Sequence, residues 1–399
     1  MLRHLLKLIW KRKTRNVMLS LEILLAFLIV FAVAAFAVRN YQLYQLPTGF
    51  GWRDQWSVSL HTAQDIPNDG ALYDNFQRTL RTLPEVQAVA FQSMPLYELS
   101  RWSGDYARPD GSGRLNVDGM RVSDDFFAAT DMRLAEGRWF SGVDDGADAT
   151  PVVINRMLAD KLWPGRSAVG QLLIDAEAKG TPPRLRVTGV VEQFRPHGEY
   201  MTPTPFMLQR FRPGADGEGE GAQVIVLKLK PGTPRTFEST LSARLKQIRG
   251  DWSYTITPLP DARASMLKTQ MIPLTILSVI ASFLLVMVAF GLFGVLWQNT
   301  TQRIPEIGLR RALGANAGHI YRQIVAEQML LSSAAVLVAL LLLVQLPLTG
   351  VLGESLNWTV FGAAAVLSAS VIYLLSLLCS LYPGWRAARL SPTQALHYE

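Results

Sequence analysis

Residues whose types could do covalent or metal chemistry are few in this chain, and they are poorly spaced for it. Ser59, His61 and Asp65 supply a nucleophile, a base and an acid by type, but no strand-turn-helix elbow signature accompanies them. His61 and His197 lie far apart without ligand-spaced neighbours, and no H-E-x-x-H or cysteine-rich pattern occurs. Asp144, Asp145 and Asp148 miss the spacing of a calcium loop and are expected to form a solvated turn. No G-x-x-x-x-G-K-[ST] phosphate loop is found. The expectation is a non-catalytic chain that binds no metal and no cofactor of its own.

The most informative short segment is Gln302–Gly314, QRIPEIGLRRALG. Pro305 suits the first position of a helix, where its missing N–H costs nothing, and Gly314 suits the position just past the end. Glu306 and Arg310 stand four apart with the acid first, the polarity that favours an intrahelical ion pair. Ile304, Ile307 and Leu313 are expected to pack, leaving Arg310 and Arg311 for an acidic partner. The segment therefore predicts a short, rigid, two-faced helix made for docking. A solvated linker would not need start and stop signals at both ends.

Four apolar stretches frame that segment: Val17–Val38, Met271–Trp297, Met329–Leu352 and Trp358–Tyr382. Each is long enough for the roughly 20 helical residues that cross hydrocarbon. Only Glu22 interrupts the first, and it is expected to reach back to the interface. Cleavage as a signal peptide would need a shorter apolar run, so the first stretch is expected to be an anchor. The only cysteine, Cys379, falls in the fourth stretch, so the segment between the first two stretches must be stable without disulfides.

The formal net charge of +7 is unevenly placed. Arg3, Lys7, Lys11, Arg12, Lys13 and Arg15 precede the first stretch, Arg303, Arg310, Arg311 and Arg322 lie in the loop 298–325, and Arg386 and Arg389 in the tail. Basic flanks stay in the cytosol, which predicts cytosolic termini and an outer domain at 39–270. The basic balance is thus a topology signal, and no nucleic-acid partner is expected. Leu2, Leu5, Leu6, Ile9 and Trp10 share one face, which predicts an amphipathic helix over 1–16 at the inner membrane surface, in contact with membrane lipid.

The outer segment has two similar halves. Trp56, Val58 and Leu60 alternate as a strand, Leu72, Phe76, Leu80 and Leu83 recur at helical spacing up to Pro84, and Val86–Phe91 forms the next strand. Val224–Leu229, a helix started by Pro234 and lined by Phe237, Leu241, Leu245 and Ile248, and Tyr254–Leu259 repeat the pattern. Two such β-α-β units predict a split, ferredoxin-like sheet with an insertion over about 95–222. Within it, Ser123 is expected to cap a helix through Phe127. Arg133–Phe140 and Leu185–Val191 should be extended, Val152–Ile154 a short strand, and Asn155 the cap of the next helix. The run 214–221 is too polar and glycine-rich to pack.

EIGLRRALGA at Glu306–Ala315, IYRQIVAEQMLL at Ile320–Leu331 and PGWRAARLSPTQAL at Pro383–Leu396 resemble the MacB/FtsX-like permease family of ABC transporters. RVSDDFFAATDMRLAEGRWF at Arg121–Phe140, PVVINRMLADKLWPGRSAVGQ at Pro151–Gln171 and RVTGVVEQF at Arg186–Phe194 extend the resemblance over most of the chain. It implies a four-helix inner-membrane (cytoplasmic-membrane) permease whose periplasmic α/β domain comprises a porter-type subdomain and an inserted sabre-type subdomain. It also implies domains at 1–16, 17–38, 39–270, 271–297, 298–325, 326–352, 358–382 and 383–399. Pro305, Glu306, Ile307, Arg310, Arg311 and Gly314 would be the coupling segment gripped by a cytosolic ABC ATPase. ATP and magnesium would bind on that separate polypeptide. The further partners implied are a second permease copy or a homologous permease, and a periplasmic adaptor protein. Mechanotransmission would export or extract a peptide, lipid, lipoprotein or drug-like substrate. The alternative is an FtsX-like signalling subunit that activates a periplasmic partner. Ile304-Pro305 departs from the charged or polar residues usual there.

Overall fold

The computed structural model describes residues 13–178, 183–214 and 221–389. They form two compact units: an α/β unit of Leu43–Gln270, and a helical unit of the residues up to Gln42 with those from Met271 onward. The amphipathic helix expected over 1–16 falls almost wholly outside the described residues, as do most of the run 214–221 and the tail from Leu390.

A long helix, α1 (Lys13–Gln45), leads into the α/β unit. There β1 (Gln55–His61), α2 (Gly70–Arg81) and β2 (Val86–Gln92) make one β-α-β unit, and β10 (Val224–Leu229), α5 (Phe237–Ile248) and β11 (Ser253–Pro258) make the other. The strand order is β11-β1-β10-β2 with every neighbour antiparallel, so each unit is split by a strand of the other. Trp56, Val58 and Leu60 turn to one face and meet Phe76, Leu80, Leu241 and Leu245 from the helices. Asp69 starts α2 by accepting a hydrogen bond from the Ala71 N–H at 2.9 Å. Pro234, expected inside the first turn of α5, lies before it, and its carbonyl accepts the Phe237 N–H instead.

Between the halves stand β3 (Ser103–Ala107), β4 (Leu115–Val122), α3 (Phe126–Ala129), β5 (Leu134–Gly137), β6 (Thr150–Asn155), α4 (Arg156–Leu162), β7 (Leu172–Asp175), β8 (Arg184–Val191) and β9 (Phe206–Arg210). The sequence did not reveal how they join. The order β4-β3-β7-β8-β6-β9 closes on itself through a parallel β4–β9 pair, giving a ring of six strands. Val117, Val152, Ile154, Leu173, Val187 and Met207 fill it. Asn155 caps α4 through the Leu158 N–H (3.0 Å), accepts the Phe206 N–H (3.0 Å) and donates to the Thr204 carbonyl (2.7 Å), so one amide joins β6, α4 and β9. Ser123 does not cap α3; its hydroxyl accepts from the Phe91 N–H, and Asp125 precedes the helix without a side-chain cap. The extended stretch Arg133–Phe140 is a strand only over Leu134–Gly137.

The helical unit adds α6 (Leu259–Thr301), α7 (Ile304–Ala312), α8 (Ala317–Leu343), α9 (Gln345–Thr349) and α10 (Trp358–Arg389). Among the described residues four helices, α1, α6, α8 and α10, are long and apolar enough to cross a membrane. They overrun the expected limits: α1 continues to Gln45, α6 starts at Leu259, α8 starts at Ala317 and α10 runs through Pro383 to Arg389. Apolar composition marks the hydrocarbon span, while the i→i−4 ladder continues into polar residues that still favour helix. The third span, expected to Leu352, ends as a regular helix at Leu343.

Leu19, Ile23, Phe27, Leu292, Leu296, Val336, Ala339, Val360 and Ala364 form the interior of this unit. Small polar residues join α8 to α10: Ser332 and Ser376 hydroxyls are 2.8 Å apart, and Tyr373 donates to Ser333 at 3.0 Å. Such groups pair across helices where no water can serve them. The Glu22 carboxylate sits against Gly291 of α6, where an added Cβ would lie 2.1 Å from its Oε1.

Candidate functional site

The structure builds the short helix that the sequence predicts for this segment and changes which of its side chains are free. α7 covers Ile304–Ala312, with Pro305 second and exposed. Ile304 and Ile307, each 6% exposed, turn inward, and Ile307 packs on Ile320 and Ile324 of α8 and Ala387 of α10. The helix stops at Gly314, whose φ of +95° is a left-handed conformation open to glycine at no steric cost. The Ala315 N–H returns to the Arg310 carbonyl at 3.0 Å and the Leu313 N–H to that of Leu309 at 3.0 Å. These bonds satisfy carbonyls that the helix end leaves open.

Leu313, expected to pack, is 80% exposed. It lies past the last helical residue, where the turn at Gly314 carries it off the buried face. Leu309, one turn earlier, is also exposed. Arg310, expected to stay available, is committed: it donates to Glu306 at 2.7 Å and to the Gln323 side chain at 3.0 Å. Arg311 belongs to α7, but its side chain is outside the described structure.

A second brace escaped the sequence reading. Arg303, just before α7, donates to Glu327 of α8 at 2.6 Å, with both side chains largely shielded. Gln323 donates to the other Glu327 oxygen at 3.1 Å. Glu306, Arg310, Gln323, Glu327 and Arg303 thus form one continuous polar chain from α7 to α8. The available signal was the i,i+4 spacing of Gln323 and Glu327 at the polar end of the third apolar stretch.

In the α/β unit, the residues first singled out for chemistry do other work. His61 shares a 2.9 Å hydrogen bond with Thr255, and the His197 ring meets the Glu98 carbonyl. Asp144 accepts from Arg138, while Asp145 accepts from Arg210 at 2.7 Å and Arg212 at 2.9 Å. Arginine bonding holds the Asp144 and Asp145 carboxyls below their ordinary range.

The group that the sequence did not point to is Arg195, 1% exposed. Its Nε donates to the Pro47 carbonyl at 3.1 Å. Its Nη1 is within bonding distance of the Leu43 (3.2 Å), Glu199 (2.8 Å) and Met201 (3.1 Å) carbonyls, and its Nη2 donates to Leu46. Leu43 lies in the last turn of α1 and Leu46 and Pro47 just beyond it, where carbonyls lack helical donors and a cation suits the dipole. Burial pulls the guanidinium below its ordinary pKa, opposed by the charge of Glu199. Glu199 in turn accepts from Arg263 of α6 at 2.5 Å, and Gln270 of α6 donates to the His197 carbonyl at 3.2 Å. At Gly49 (φ +92°) the backbone approaches so closely that an added Cβ would meet the Gln193 carbonyl oxygen at 1.9 Å. The loop Phe194–Met201 therefore holds the end of α1 and the beginning of α6 within one buried junction.

Comparison with known proteins identifies both units. The MacB-like periplasmic core domain matches residues 17–242, and the FtsX-like permease C-terminal domain matches residues 278–392. The macrolide export ATP-binding/permease protein MacB of Agrobacterium fabrum is 23% identical over 401 residues, covering 97% of this chain and 59% of that protein. The probable syringafactin export ATP-binding/permease protein SyfD of Pseudomonas syringae pv. tomato is 27% identical over 311 residues, covering 73% of this chain and 43% of that one. The chain spans about half the length of the curated relatives it matches. A crystal structure of the periplasmic region of MacB from Actinobacillus actinomycetemcomitans covers 56% of this chain and 97% of its own, at 14% identity and a TM-score of 0.39. Four apolar helices and a MacB-like periplasmic domain fit an inner-membrane protein with a large domain in the periplasm. On the two domain matches, in this order along one chain, the protein belongs to the MacB/FtsX-like ABC transporter permease family.

Proposed function

We propose that this chain is the permease subunit of an ABC exporter and that α7 is the element through which a cytosolic ATPase drives it. The observation that carries the reading is the construction of α7: stopped by Gly314, seated on Ile304 and Ile307, and braced to α8 through Arg310 and Arg303. A force applied to such a helix passes into α8 without being absorbed by a flexible loop. Pro305, Glu306, Ile307, Arg310, Arg311 and Gly314 set its position and shape, and exposed Leu309 and Leu313 add an apolar ridge for the partner.

ATP and magnesium bind on the ATPase, and this chain does no chemistry. The arginine and lysine excess on the termini and on the α7 loop supports a cytosolic position for them. Two copies, or one copy and a homologous permease, make the working unit. The Phe194–Met201 loop carries movement of α1 and α6 into the periplasmic domain. The split sheet serves as a ferredoxin-like porter subdomain and the six-stranded ring as the inserted sabre subdomain, a surface for an adaptor protein. The relatives named above are export proteins, which favours moving a substrate over signalling to a partner.

The test is recovery of the intact chain from membranes with its ATPase, followed by reconstitution. Leu309→Asp with Leu313→Asp should abolish ATPase capture, while Glu306→Ala with Arg310→Ala should keep capture and uncouple hydrolysis from periplasmic movement. Unchanged capture and unchanged nucleotide-dependent movement in both variants would sink the assignment of α7.

A further inference from the structure

We propose that the ends of α6 and α10 form a docking site for the phosphate headgroup of an anionic phospholipid. The apolar run of α6 ends at Trp297, followed by Gln298, Asn299, Thr300 and Thr301; that of α10 ends at Tyr382, followed by Pro383 and Gly384. Aromatic side chains at such boundaries sit at headgroup level. Here they are organised across the two helices. The Trp297 and Tyr382 rings lie 5.8 Å apart and only 6° from parallel, and Phe293 and Trp385 extend the stack from Tyr382 at 6.1 and 6.2 Å.

Two cations crown this floor. The Arg386 guanidinium lies 4.2 Å over the Trp297 ring and that of Arg389 lies 4.3 Å over Trp385. Stacking uses the flat face of a guanidinium and leaves its N–H edge for planar recognition of a phosphate. Both arginines are exposed, and among the described residues neither pairs with a carboxylate, whereas Arg303 and Arg310 each do. The positive charge thus has no carboxylate partner among the described residues. Exposed Phe290 and Leu378, about two turns before Trp297 and one turn before Tyr382, continue the site with apolar surface suited to acyl chains. An anionic headgroup above and acyl chain below is the chemistry of a phospholipid such as phosphatidylglycerol. Basic sites between helix ends hold such lipids elsewhere.

The experiment is native mass spectrometry of the full chain released from micelles with added phosphatidylglycerol or phosphatidylcholine. Wild type should retain phosphatidylglycerol preferentially, and Arg386→Gln with Arg389→Gln should lose about fivefold retention per arginine while phosphatidylcholine retention is unchanged. Arg386→Lys keeps the charge but not the planar stack and should fall between. Arg322→Gln, at another exposed arginine, should behave as wild type, and circular dichroism should show all variants folded. Wild-type retention in the double glutamine variant would overturn the site. So would an equal loss in Arg322→Gln, which would mean diffuse attraction, or displacement of the lipid by equimolar inorganic phosphate, which would mean a free-anion site. Loss of self-association or of ATPase capture with lipid retention intact would likewise overturn it, assigning the face to a protein.

Discussion

Arg310 and Arg195 both lie at the end of a helix, and they are used in opposite ways. Arg310 is partly exposed and its partners are side chains, Glu306 and Gln323. Arg195 is sealed from solvent, and all its partners are backbone carbonyls drawn from two segments, 43–47 and 199–201. Bonds to side chains can be exchanged for those of a visiting partner at small cost, because water and neighbours compete for them. Bonds to buried backbone fix the path of the chain and leave nothing to exchange with. The difference separates a contact that must adjust from an anchor that must hold.

Substitutions can break or sharpen that contrast. Arg195→Ala should have the largest effect, at least about 3 kcal/mol, because it strands several buried carbonyls at once. Hydrogen exchange of the intact chain should show residues 43–48 and 195–201 losing protection together; unchanged protection would refute the anchor. Arg303→Ala comes next, about 2–3 kcal/mol, since Glu327 would be left shielded without a counter-charge. Thermal unfolding in detergent reads this, and Glu327→Gln in the same background should recover part of the loss.

Gly314→Ala should cost about 1 kcal/mol through its left-handed backbone alone, as an added Cβ there meets no atom within 4 Å. Gly314→Asn, which tolerates that conformation better, should lie closer to wild type. Glu306→Ala should be smallest, about 0.3–0.5 kcal/mol, as for other exposed i,i+4 pairs. A loss above about 1.5 kcal/mol there would mean that Glu306 is an anchor too, and the contrast with Arg195 would fail.

The sequence carried the parts that depend on local period. The two β-α-β units were legible because Trp56, Val58 and Leu60 alternate at two and Phe76 and Leu80 recur at four, with Pro84 marking a limit; the Asp69 cap was not read from the sequence. The short helix α7 was legible from Pro305, Gly314 and the Glu306–Arg310 spacing. What depends on long-range closure was not. The β4–β9 pairing joins Asp118 to Phe206, and no local pattern names a strand's distant partner. Arg195 looks like any surface arginine by type, and only the convergence of separate carbonyls reveals its burial. Leu313 misled because an apolar residue was assumed to follow the helix face, although the turn at Gly314 takes it elsewhere.

The ring formed by β3, β4, β6, β7, β8 and β9 has a consequence for how the domain survives without a disulfide. A sheet that ends in unpaired N–H and C=O groups invites other chains to add to it. Closing six strands upon themselves removes that invitation from most of the insertion, and β5 covers part of β8 from outside. Among the described residues the edges left are β11, which passes directly into a helix at Leu259, and the part of β2 before Gln92, its one pairing position with β4. Colloidal safety thus comes from topology and does not depend on the redox state of the compartment into which the domain is delivered.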